Sequence, residues 1–135
     1  MPINNEYTPD GIGVISHAIG KVTGKDIIDS SSSIYAQNNF GQLRYWIIER
    51  SQCTDYSASL NSGHEICALD KAATRLNPNL KVAIISHTDL EHIRSIIYRA
   101  EMINGGFSTA VFRSSSEAEI WLRKQVGAQY KHHLL

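Results

Sequence analysis

Leu80-Lys-Val-Ala-Ile-Ile-Ser86, running without a break into His87-Thr-Asp-Leu-Glu-His-Ile-Arg-Ser-Ile-Ile-Tyr-Arg-Ala100, decides how this chain folds. The first part is short, apolar and partly β-branched, the pattern of a strand buried on both faces. The second part changes period. Leu90, Ile93, Ile97 and Ala100 fall on one helical side, which predicts an amphipathic helix with that side inward. A buried strand feeding a helix is half of a β-α-β unit, and such a unit needs parallel strands beside it.

The flanking sequence supplies them. Downstream, Phe107 to Phe112 reads as a strand, and Ser114 or Ser115 caps a last helix with Ala118, Trp121, Leu122 and Val126 inward. Upstream, Ser62-Gly-His-Glu65 has the form of a capping box, opening a helix with Ile66, Leu69, Ala73 and Leu76 on its buried side. Asn77-Pro78-Asn79 ends that helix, because the residue before proline avoids the helical region. Leu43 to Ile48, aromatic and β-branched, is the strand before it, and the polar stretch from Arg50 to Ser59 reads as an irregular loop.

The chain begins with a hairpin: Ile3 to Tyr7, a tight turn at Thr8-Pro-Asp-Gly11, and a strand to Val22 bent at Gly13 and Gly20. Thr23 then caps a helix, with Asp26 at its third position and Ile27, Ile28, Ser31, Ile34 and Tyr35 along one side. The resulting order, β-β-α-β-α-β-α-β-α, predicts an α/β fold. A single mixed, mainly parallel sheet has the hairpin as its antiparallel edge and helices packed on it. One domain over 1–135 is expected, with a core of about 3–126 and a fraying tail, 127–135, that includes His132 and His133.

Composition narrows the function. Lys and Arg number 13 and so do Asp and Glu, for a net charge of zero, which argues against general nucleic-acid binding. The two cysteines, Cys53 and Cys67, have no metal-type spacing and suit a reduced, cytoplasmic setting. The first residues lack the basic start and apolar run of a signal peptide, and no stretch has the roughly 20 apolar residues of a membrane span. No metal and no cofactor is expected: His87 and His92 are five apart, which is no zinc spacing, and no glycine-rich phosphate loop follows a strand.

In an open sheet of this kind, ligands bind beyond the carboxyl ends of the strands. That rule selects Arg50, Ser86, His87, Asp89 and Arg113 as a candidate ligand rim, beside helix N-termini able to hold an anion. It also selects Thr54, Asp55 and Ser57 in the loop after the third strand. The same Ser, Thr and Asp residues would serve as simple helix caps. Nucleophile readings are thin. Cys53 or Ser57 with His87 has the ingredients of a small hydrolase, but there is no Gly-x-Ser-x-Gly elbow, and Asp89 stands too close to His87 to orient it.

Three stretches carry a resemblance: Ala18-Ile-Gly-Lys-Val-Thr-Gly-Lys-Asp26, Lys81-Val-Ala-Ile-Ile85, and Val111-Phe-Arg-Ser-Ser-Ser-Glu-Ala-Glu-Ile-Trp-Leu122. Within the hairpin-led alternation from Gly11 to Val126, they resemble the STAS fold of anti-sigma-factor antagonists. The similarity is closest to small bacterial proteins of SpoIIAA-like, STAS/CRAL-TRIO type. In the antagonists a regulatory serine lies two residues after an Asp, and Asp55-Tyr-Ser57 stands in the matching place. The pattern departs at Ala58, where the family usually has glycine.

The resemblance implies a non-catalytic signalling or protein-interaction module with a regulatory protein partner, switched by phosphate near Ser57. The alternative is a carrier of a small apolar ligand or a lipid, as the CRAL-TRIO-type resemblance implies, which requires an apolar pocket between helices and sheet; a small anionic ligand would sit at the rim. A homodimer through an exposed sheet edge also suits such a fold.

Overall fold

The computed structural model describes residues 2–57 and 59–131; Ala58, His132 and His133 lie outside the described residues. Five strands form one sheet in the order β1-β2-β3-β4-β5: Ile3–Tyr7, Gly13–Thr23, Tyr45–Ser57, Lys81–Ile85 and Ser108–Phe112. β1 and β2 are antiparallel, and β2 through β5 are parallel. Four helices alternate with them: α1 (Gly24–Tyr35), α2 (Leu60–Thr74), α3 (Asp89–Met102) and α4 (Ser115–Val126). The mixed α/β architecture is the one the alternation predicts.

Strand alternation divides the interior into two cores. Val14, Trp46, Val82 and Ile84 point to one face, where Ile34 of α1, Ala73 of α2, Phe40 and Phe107 cover them. Ile15, Tyr45, Ile47, Ala83 and Ile85 point to the other, beneath Ala118 and Leu122 of α4. On this second face Gly13 is required by close approach, because a Cβ there would stand 2.2 Å from Cζ of the Tyr45 ring. The Tyr45 hydroxyl donates to Asp10 Oδ2 at 2.6 Å, and its ring meets Tyr130 edge-on with centroids 5.0 Å apart. The chain past Gly127 therefore stays on the body: Gly127–Gln129 forms a 3-10 turn and Tyr130 is buried, so the expected fraying does not begin there.

Capping follows local chemistry. Thr23 and Asp26 form a capping box: the Thr23 hydroxyl accepts from the Asp26 amide at 3.2 Å, and Asp26 Oδ2 accepts from the Thr23 amide at 2.9 Å. The Thr23 amide and hydroxyl, both donating to Asp26 Oδ2, hold its carboxyl below the ordinary range. Ser114 caps α4 and Thr88 caps α3. The capping box expected at Ser62 is not the start of α2. Ser59 caps that helix three residues earlier, its hydroxyl accepting from the Ser62 amide at 3.1 Å.

Two further expectations are overturned. Arg50 to Ser57 is strand rather than loop, because β2 runs on to Thr23 and β3 stays paired with it as far as Ser57. Register shifts between His17 and Ile19 and between Gly20 and Lys21 let the ribbon bend, and Gly20 takes the left-handed φ of +69° that such a bulge favours. α3 is turned the other way from its apolar pattern. Glu91, Ser95 and Met102 are buried, whereas Leu90, Ile93 and Ile97 are more than half exposed. Leu76, expected inside, is exposed as well.

Candidate functional site

The face covered by α1, α2 and α3 is not filled. Between these helices and the sheet lies a cleft of about 560 Å³, within the usual size of ligand sites. Its floor is Trp46, Ile48 and Ile84, three residues that strand alternation sends to the same face. Ile27 and Ser31 come from α1, Ile66, Cys67 and Asp70 from α2, and Ile97, Tyr98 and Glu101 from α3. A smaller recess of about 40 Å³ shares Ile27, Trp46, Ile48 and Tyr56 with it and continues toward Cys53.

Two arginines enter this apolar space. Arg50 follows Trp46 and Ile48 by the same two-residue step, so it faces the cleft rather than the rim of the sheet. Arg94 reaches in from α3. Both guanidinium groups lie against the Tyr56 ring, 5.4 Å and 4.8 Å from its centroid, a cation–π arrangement. Arg94 donates to the Tyr56 carbonyl at 2.8 Å, and Arg50 makes a long 3.5 Å contact with the Ser95 hydroxyl.

Deeper along α2, Asp70 is 3 % exposed and accepts from the hydroxyls of both Tyr35 and Tyr98. Burial pushes its carboxyl up to about 6, against the lowering effect of the two tyrosines. Burial and the facing carboxylate raise both phenols far above their ordinary range. The tyrosines come from α1 and α3, so this hydrogen-bonded trio ties all three helices together at the back of the cleft. Neither Asp70 nor the tyrosine pair stands out in the sequence. Asp70 lies between Leu69 and Ala73, on a helix read for its apolar residues alone, so a buried carboxyl there carries no signal of its own.

The expected rim residues separate into three places. His87, Asp89 and Arg113 do come together: Arg113 donates to Asp89 Oδ1 at 3.0 Å and to the His87 carbonyl at 2.9 Å, and His87 lies 3.7 Å from Glu49. This cluster is exposed and internally satisfied. Ser86 is fully buried, 3.3 Å from His92 Nδ1. Arg50 belongs to the cleft. Thr54, Asp55 and Ser57 are exposed along the far end of β3.

The hydrolase constellation does not assemble. Cys53 packs with Ala18 and Val22 and donates to the Asp55 carbonyl, its thiol pushed up chiefly by burial, while His87 is paired with Glu49. Among the described residues, no group of three or more His, Cys, Asp and Glu is placed to hold a metal ion, and no helix is long and apolar enough to cross a membrane.

No protein-family model matches the chain, and no curated protein matches it. Solved structures do. An uncharacterized DUF3478-family protein with a SpoIIAA-like fold from Shewanella loihica PV-4 is similar at 19 % identity and TM-score 0.57, over 89 % of this chain and 91 % of that one. The anti-sigma factor antagonist SpoIIAA in its unphosphorylated form is similar at 10 % identity and TM-score 0.58, over 90 % and 97 % of the two chains. The Bacillus cell fate determinant SpoIIAA in its phosphorylated form gives 11 % identity and TM-score 0.50, over 90 % and 99 %. At such identities the likeness is one of architecture, and the fold is SpoIIAA-like.

Proposed function

We propose that this chain is a non-catalytic signalling module that binds a regulatory protein partner and is switched by phosphate on Ser57. The observation that carries this reading is where Ser57 stands. It pairs in register with Thr23, the cap of α1, and precedes by two residues Ser59, the cap of α2. Two helix N-termini therefore begin beside one exposed hydroxyl. A phosphoserine brings nearly two negative charges, which helix N-termini favour and which change what the surface can dock against. Thr54 and Asp55, exposed on the same strand end, belong to the docking surface in this reading.

Phosphopeptide analysis of the protein from its source cells, with partner capture before and after phosphatase, tests this. The expected result is one phosphate on Ser57 and a partner retained in one state but not the other. Unmodified Ser57, together with a Ser57→Asp variant that retains the same partner as wild type, overturns it.

A second reading is supported by a separate observation: the cleft of about 560 Å³ is the kind of apolar pocket a small-ligand or lipid carrier needs. The two readings adjoin at the start of α2: Ser59, the cap beside Ser57, also lines the cleft.

A further inference from the structure

We propose that the cleft takes an amphipathic organic anion, its single carboxylate or phosphate held between Arg50 and Arg94 over Tyr56, its apolar body lying on Trp46, Ile48 and Ile84. This rests on the carrier reading and adds the chemistry of the ligand to it. A purely apolar ligand would need only the floor. The arginines are the part that it would leave unexplained.

Arg50 and Arg94 are half-buried residues, and neither forms an ion pair among the described residues, whereas Arg113 and Arg123 at the surface pair with Asp89 and Glu119. A guanidinium carries five N–H donors. Arg94 spends one on the Tyr56 carbonyl, and Arg50 has only its 3.5 Å contact with Ser95, so most of the donors remain available. Two like charges over one ring repel each other, and the effect grows as water is excluded. An anion between them removes that repulsion and meets the planar fork that guanidinium presents to carboxylate and phosphate.

The first turn of α2 lines the same space through Ser59 and Gly63, adding its positive end. Asp70 lies seven residues beyond Gly63, roughly 10 Å farther along the helix. Its carboxyl, held by Tyr35 and Tyr98, keeps a second negative charge away from that end and so sets the ligand's direction. Ile97, which both lines the cleft and is exposed, provides an apolar lip over which the body can leave.

The cleft floor carries its own reporter, Trp46. In a Trp121→Phe background, which removes the tryptophan packed on Phe112, the full chain is titrated with dodecanoate, dodecyl phosphate, dodecanol and dodecyltrimethylammonium, the ionic compounds below their micelle concentrations and the alcohol below its solubility limit. One or both anions should change Trp46 emission, with the alcohol at least about tenfold weaker and the cation without effect, as loss of charge-assisted hydrogen bonds implies. The tighter anion identifies the head group. Arg50→Gln with Arg94→Gln should reduce the anions to the level of the alcohol, while thermal unfolding verifies that the variant is folded. Alcohol binding as tightly as the tighter of the two anions, with Arg50 and Arg94 both in place, overturns the anion assignment and leaves the carrier reading standing. No binding by any of the four compounds overturns both.

Discussion

The two faces of this sheet are built from the same strands and finished in opposite ways. Under α4, each alternate residue of the central strands meets a partner: Ile47, Ala83 and Ile85 lie against Ala118 and Leu122, and Tyr45 is held between Gly13 and Tyr130. Under α1, α2 and α3, Val14 and Val82 are packed, while Trp46, Ile48 and Ile84 border a cleft, and polar groups hold the covering helices. Tyr35, Asp70 and Tyr98 join the helices to one another, Ser95 and Arg94 face inward, and the aliphatic side of α3 is left in water. One face is packed throughout. The other has a core of its own around Val14, Ile34, Val82 and Phe107, and beside it a space that its helices frame.

The largest expected effect separates the two faces directly. Leu122 is fully buried under α4, so Leu122→Ala should cost about 3 kcal/mol, from lost transfer free energy together with a sealed void. Ile66 is nearly as buried but borders space that already exists, so Ile66→Ala should cost about half as much. Urea unfolding at neutral pH measures both, read as a change in midpoint at constant slope. Equal costs would mean that the open face packs as tightly as the closed one.

The closed face was readable from the sequence and the open face was not. Ala118 and Leu122 recur at the helical period, and Lys81 to Ile85 is a continuous apolar run buried on both faces, so apolar pattern and burial agree there. On α3 they disagree. The aliphatic residues at 90, 93 and 97 form the stronger stripe, but the inward side is held by Tyr98 on Asp70 and Arg94 on Tyr56, with Ser95 meeting Arg50. Periodicity sees hydrophobicity and is blind to a hydrogen-bonded side. The polar end of β3 was lost for a related reason. Past Glu49 it pairs only with β2, so it lacks the two-sided burial that marks a central strand. One signal does reach the cleft: the two-residue step Trp46, Ile48, Arg50 sends Arg50 inward.

Asp70 offers a sharper probe of the open face, because its effect depends on pH. Its carboxyl titrates at about 6 in the folded protein against an ordinary 3.8, so the folded state holds its proton more tightly than the unfolded chain does. Below the lower value both states are protonated and nothing is lost. As pH rises between the two values the unfolded chain releases its proton first, and stability falls by a total of about 3 kcal/mol, after which it is level. Asp10 and Asp26 act in the opposite direction, since their carboxyls are lowered in the fold. The expected signature is therefore a difference curve, wild type minus Asp70→Asn. It declines from pH 4 to about pH 6.5 and is flat above, measured by chemical denaturation across that range. A flat difference curve throughout would mean that the carboxyl at the back of the cleft is hydrated rather than enclosed.

The smallest expected effect is the most discriminating for α3. Leu90 and Ile93 are 58 % and 55 % exposed, so Leu90→Gln with Ile93→Gln should alter stability by no more than about 0.5 kcal/mol, as for surface substitutions generally. Were this stripe packed in the folded chain, the same pair would cost several times that, because two aliphatic side chains would be replaced by buried amides. The measurement is denaturation at two protein concentrations well apart. A small change independent of concentration fits a helix held by its polar side, with its aliphatic side open at the lip of the cleft. A loss that grows with protein concentration would instead mean that a second copy covers the stripe, because an interface stabilises by mass action and an internal core does not.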